Sequence, residues 1–183
     1  MAHLPYADLN PPELQPLVQR IVAERGSVLH LYQMLMHSPP LAEGWLGFMT
    51  QVRHHLDLGG DLRELVIMRI AHLNGAPYEA EQHAPIALRE GLTQGQLDGL
   101  PAWTDAAEAY SPLQQDVLRL CDAMTRDVHV AAPLVAAVRA QLGDRQLVEL
   151  VGTIASYNMV SRFLEALQIH SDDPRPAAGV SGT

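Results

Sequence analysis

Apolar residues recur along this chain at helical spacing, in runs separated by short polar breaks. No stretch shows the every-second-residue alternation of a half-buried strand, so the pattern predicts an all-α fold. The first stripe is Leu14, Leu17, Val18, Ile21 and Val22, ending near Gly26. Val28–Met36 predicts a second helix, stopped by Ser38-Pro39-Pro40, and Leu41–Leu58 a third, built on Trp45, Leu46, Phe48, Met49 and Val52. A fourth follows Gly59-Gly60, with Asp61 as its expected N-cap, and is apolar nearly all round through Leu62, Leu65, Val66, Ile67, Met68, Ile70 and Leu73. Such a helix is buried. The break Asn74-Gly75-Ala76-Pro77 separates it from a fifth, which starts with proline at its favoured first position.

Further on, Thr93 with Gln96 and Ser111 with Gln114 carry the spacing of capping boxes, in which side chain and backbone satisfy each other at a helix start. They predict a short helix to about Leu100 and a longer one from Pro112 to Val128, with residues 101–110 as a connection. Ala131–Leu142 and, after Asp144, a helix from Arg145 to about His170 complete the set. The expected organisation is an extended lead-in over residues 1–14, one all-helical domain over 15–170, and a disordered Pro/Gly/Ser/Asp-rich tail over 171–183. Glu149-Leu150-Val151 with Ile154-Ala155 weakly echoes Glu64-Leu65-Val66 with Ile70-Ala71, a hint of two related halves.

Composition narrows the function. A net charge of −9 argues against nucleic-acid and anionic-membrane binders that rely on broad electrostatics. The single cysteine, Cys121, excludes a disulfide framework and a Cys-x-x-Cys redox pair within one chain; it falls on an apolar stripe and is expected in the core. No apolar run has transmembrane length, and a cytoplasmic protein is expected.

Candidate chemistry gathers around the fourth and fifth helices. Glu64 and Arg69 are charged residues in a helix that should be buried, where a charge needs a partner, a shifted pKa or a role in chemistry. Glu79 and His83 are four apart and share one helical face, so Glu79 has the reach to orient the imidazole. Pro85 lies inside the same helix and removes one backbone donor a turn from His83. Plainer readings compete. Asp61-Leu62-Arg63-Glu64 is itself a capping-box pattern, Glu79 suits a first turn by its charge alone, Arg69 fits a structural partner for a buried acid, and His83 fits a satisfied core histidine. Asn158 and Ser161 extend the last helix's apolar stripe, either to line a pocket or to bond backbone carbonyls and each other.

The central stretch also carries a resemblance. Glu64, then across mostly apolar helix and turn His83 nineteen positions on, followed by Pro85-Ile86-Ala87 and Gly91-Leu92, resembles the carboxymuconolactone decarboxylase and alkylhydroperoxidase D superfamily. Met34–Pro39 and Gln146–Met159 extend the likeness over roughly residues 15–170. The resemblance implies an alkylhydroperoxidase D-like helical bundle and a homo-oligomer (trimer, hexamer or dimer) with the site near an interface. Its peroxidase branch uses a Cys-x-x-Cys pair whose positions here are Ala76 and Glu79, so a dithiol peroxidase cycle is not available.

The resemblance matches Glu64 and His83 to the superfamily's acid/base positions. The expectation is a cofactor-free enzyme, leaning to a carboxy-lyase or isomerase, on a small unsaturated acid or lactone, with Glu64, His83 and Glu79 catalytic. Arg69 (or Arg63), Tyr78 and Asn158 are expected to bind substrate. Glu64, if buried, is expected to have a raised pKa and to serve as proton donor. Three alternatives are a metal site on Glu64, Glu79 and His83 with His72 or His37, a peroxidase-related activity at the same site by a route other than the dithiol cycle, and a non-enzymatic oligomer that binds a small ligand.

Overall fold

The computed structural model describes residues 1–176, and among them every regular element is a helix, as the apolar pattern predicted. The eight α-helices are α1 (Gln15–Arg25), α2 (His30–Leu35), α3 (Pro39–His54), α4 (Gly60–Asn74), α5 (Pro77–Arg89), α6 (Gln94–Gly99), α7 (Pro112–Arg126) and α8 (Ala132–Leu167). The described residues form two compact units, 1–55 with 166–176 and 56–165, where the sequence suggested a single domain over 15–170.

In the first unit, α3 packs with α1 and α2 around Ile21, Leu35, Ala42, Leu46 and Met49. Gly26 ends α1 with φ of 80°, a left-handed conformation that costs glycine nothing. Tyr6 and Leu9 of the lead-in are buried, and the Tyr6 hydroxyl donates to Asp173 Oδ2 at 2.8 Å. Arg175 donates to the Val28 carbonyl. Residues 171–176 thus carry fixed contacts where a disordered tail was expected, because Asp173 supplies a buried acceptor; the rest of that expected tail, 177–183, lies outside the described residues.

The second unit is organised around α4. Its Leu65, Val66, Ile67 and Ile70 are fully buried, and it packs on α5 and α7. A helix apolar on every side needs neighbours on every side, which is why α4 takes the centre. Its N-cap is Gly59 rather than Asp61, which sits in the first turn, and Gly75 with φ of 63° closes it. Both capping boxes form. Residues Leu100–Ala109, expected as a connection, wind as a 3-10 segment interrupted at Ala102 and Ala106. The two helices expected after residue 131 are both present, joined within α8 across Gly143, whose φ of 77° and ψ of 175° are not helical.

Candidate active site

Glu64 and His83 meet in the interior of the second unit. Glu64 lies one turn into α4 and His83 midway along α5, and helix pairing brings Glu64 Oε2 to 2.7 Å from His83 Nδ1. They are only 2 % and 5 % exposed. Arg63 Nε donates to the other carboxylate oxygen, Glu64 Oε1, at 3.0 Å. Arg63 also reaches Glu90 Oε1, at 3.2 Å, at the end of α5. The ring of Tyr157, from α8, stands edge-to-face with the His83 ring, centroids 5.2 Å apart at 88°. A buried tyrosine in that arrangement holds the imidazole plane by packing.

This geometry corrects the expected role of Glu64. Burial pushes its carboxyl up, but the hydrogen bond and charge of His83, with Arg63 behind, outweigh burial and hold it below its ordinary value of 4.5. Glu64 is therefore a carboxylate and not a proton donor. A carboxylate only accepts, so with Glu64 ionised His83 Nδ1 carries the proton between them. The capping-box alternative also fails for Glu64, whose two oxygens go to His83 and Arg63. The carboxylate in contact with His83 Nδ1 is that of Glu64. Glu79 and Tyr78, both in the first turn of α5, are buried.

Arg69, expected at the substrate, is buried among partners of the protein's own. Its Nε and Nη2 grip Asp122 at 2.6 and 2.8 Å, and Nη1 donates to the carbonyls of Leu100 and Pro101 at 2.7 and 3.2 Å. Trp103 Nε1 donates to the same aspartate. Asn158 is likewise engaged. Its amide donates to Thr125 Oγ1 and the Ile154 carbonyl, its oxygen accepts from Asn74 Nδ2 at 3.1 Å, and Asn74 also donates to Ser161 Oγ at 2.7 Å. This is the plainer reading of Asn158 and Ser161, a network tying α4, α7 and α8 together.

Cys121 is fully buried, donates towards the Val66 carbonyl, and burial pushes its thiol up to about 12. A thiol so protonated is not a nucleophile. Among the described residues, no group of three or more His, Cys, Asp or Glu side chains is arranged to hold a metal ion. Nor, among them, is any helix long and apolar enough to cross a membrane. Glu149, the sequence echo of Glu64, accepts from the Leu58 amide at 2.9 Å and from Arg145, so it has no comparable histidine contact in this site. The sequence reading missed Tyr157, although its position three after Ile154 on the same stripe placed it beside Asn158.

Residues 39–123 match the family model of the carboxymuconolactone decarboxylase family. An uncharacterized protein of Bacillus subtilis (strain 168), YdfG, is 30% identical over 104 residues, which is 54% of this chain and 70% of that protein. A peroxidase-related protein from Silicibacter sp. TM1040 has the same fold, with a TM-score of 0.78 at 17% identity, covering 93% of this chain and 90% of that one. So does the debrominase Bmp8, solved as a variant in complex with 2,3,4-tribromopyrrole, with a TM-score of 0.76 at 15% identity and 94% of each chain covered.

Proposed function

We propose that this chain, which belongs to the carboxymuconolactone decarboxylase family, is a cofactor-free acid/base enzyme acting on a small unsaturated acid or lactone. The observation that carries the reading is the buried 2.7 Å contact between Glu64 and His83. A carboxylate on Nδ1 fixes the tautomer and stabilises the imidazolium, which suits the ring for taking and returning a proton near neutral pH. In an isomerisation, Nε2 takes a proton from the carbon beside the carbonyl and the electron pair moves into the conjugated carbonyl. The imidazolium then returns the proton at the far carbon. In a decarboxylation, carbon dioxide leaves, the electrons enter the same conjugated system, and the imidazolium delivers the proton.

Tyr157 and Arg63 act as positioning residues in this reading, one packing the ring and the other keeping Glu64 anionic. Self-association accompanies it, supported by the apolar outer side of α8, where Val148, Val151 and Met159 are exposed. Light scattering at micromolar concentration is expected to show an oligomer, and a monomer would remove that part.

The enzymatic reading is tested by NMR with unsaturated lactones and acids in heavy water. Deuterium uptake or turnover that disappears in His83→Gln is expected. Saturable binding without exchange would instead mark a ligand-binding protein.

A further inference from the structure

We infer that the Glu64–His83 site takes an uncharged substrate, an unsaturated lactone or similar enolisable carbonyl compound, and rejects one that carries a carboxylate. This rests on the acid/base reading and selects its isomerisation branch. The warrant is the charge balance of the unit that holds the pair.

All twelve basic residues of the chain are arginines, eight of them in residues 56–165. Six of those eight (Arg89, Arg119, Arg126, Arg139, Arg145 and Arg162) are exposed on the surface. The other two are Arg63 and Arg69. Arg69 is held by Asp122 and two backbone carbonyls. Arg63 is shared between Glu64 at 3.0 Å and Glu90 at 3.2 Å, so one cation already faces two carboxylates. His83, when protonated, faces Glu64. Glu79 adds a second buried carboxyl group a turn before His83 on α5.

A carboxylate moved from water into such an interior needs a cation or several donors to offset its lost hydration, and like charge disfavours it further. The arginines of this interior are engaged by the protein's own acids. An uncharged lactone incurs no such cost. Its proton transfer creates one imidazolium, for which Glu64 is the counter-charge, and one enolate, which lasts only until the proton returns. No oxidant, reductant or leaving group is needed, since one C–H bond breaks and another forms.

The full chain is titrated with two probes, an unsaturated γ-lactone and the same lactone bearing a ring carboxylate. Binding is read from the His83 ring signals, identified by their loss in His83→Gln, and exchange from deuterium uptake in heavy water. The uncharged lactone is expected to bind at least about tenfold more tightly. In Glu90→Gln, which removes one of the two acids competing for Arg63, the gap is expected to narrow. Equal or tighter binding of the carboxylate form, or no His83 perturbation by the uncharged lactone at millimolar concentration, overturns the inference. Carboxylate preference together with His83-dependent uptake overturns it while leaving the acid/base reading standing. Uncharged preference without uptake supports it and removes the acid/base reading.

Discussion

Helix α4 carries two buried ionic residues five positions apart, Glu64 and Arg69, and the structure uses them in opposite ways. Arg69 meets a bidentate aspartate and two carbonyls, and a guanidinium stays protonated throughout the working range of a protein. Everything about that pair is fixed, so it serves to lock α4, α7 and the 3-10 segment together. Glu64 meets an imidazole, a side-chain type that can carry or release a charge where a guanidinium cannot. Burial alone therefore does not separate a structural charge from a catalytic one; the proposed function rests on the nature of the partner.

The largest effect that should separate the two pairs is on chemistry. His83→Gln is expected to lower exchange or turnover by roughly 10²–10⁴-fold, the range for loss of a general acid/base, while the denaturant midpoint moves little. Arg69→Met should do the reverse. It takes the bidentate partner from a largely buried Asp122, leaving it Trp103 and the more distant Arg126, and is expected to cost about 3 kcal/mol in urea unfolding while activity per folded molecule is retained. If Arg69→Met abolished activity at unchanged stability, the contrast would collapse.

A smaller stability loss, about 1–2 kcal/mol, is expected for Asn158→Ala, which removes a buried amide from a network of neutral hydrogen bonds. The finest effect is in pH. Glu64 is held below its ordinary value of 4.5, so the unfolded chain takes up that proton first. Its contribution is fully present above that value and fades as pH falls through the lowered folded pKa. Urea midpoints from neutral to acid pH should show the advantage of wild type over Glu64→Gln shrinking below 4.5. An advantage growing towards acid would mean the carboxyl is raised instead.

The all-helical fold was legible because its signals are local. Stripes at helical spacing, Thr93 with Gln96, and Ser111 with Gln114 each act within a turn or two of chain. The site was legible only in part. Glu64 and His83 stood out through the resemblance and through a charge in an apolar helix, but their 2.7 Å contact joins residues 19 apart and depends on how α4 and α5 pack. The partner of Arg69 was not legible, because Asp122 is 53 residues away on a helix whose polar positions look like ordinary surface. Glu64 was expected to hold its proton because burial was weighed without the His83 contact, and then without Arg63, whose side chain folds back onto its own neighbour. The boundary between the two units near residue 55 has no linker composition to announce it, whereas the break between the last two helices was legible, at a glycine with φ of 77°.

The central claim is that an ionised Glu64 holds the proton on Nδ1 of His83 and leaves Nε2 to do the chemistry. The most direct test is ¹⁵N NMR of histidine-labelled protein near neutral pH, taking as His83 the ring signals that vanish in His83→Gln. Nδ1 is expected to be protonated whether the ring is neutral or charged, with Nε2 the nitrogen whose shift moves on titration. A neutral ring carrying its proton on Nε2, with Nδ1 bare towards Glu64, would contradict the account.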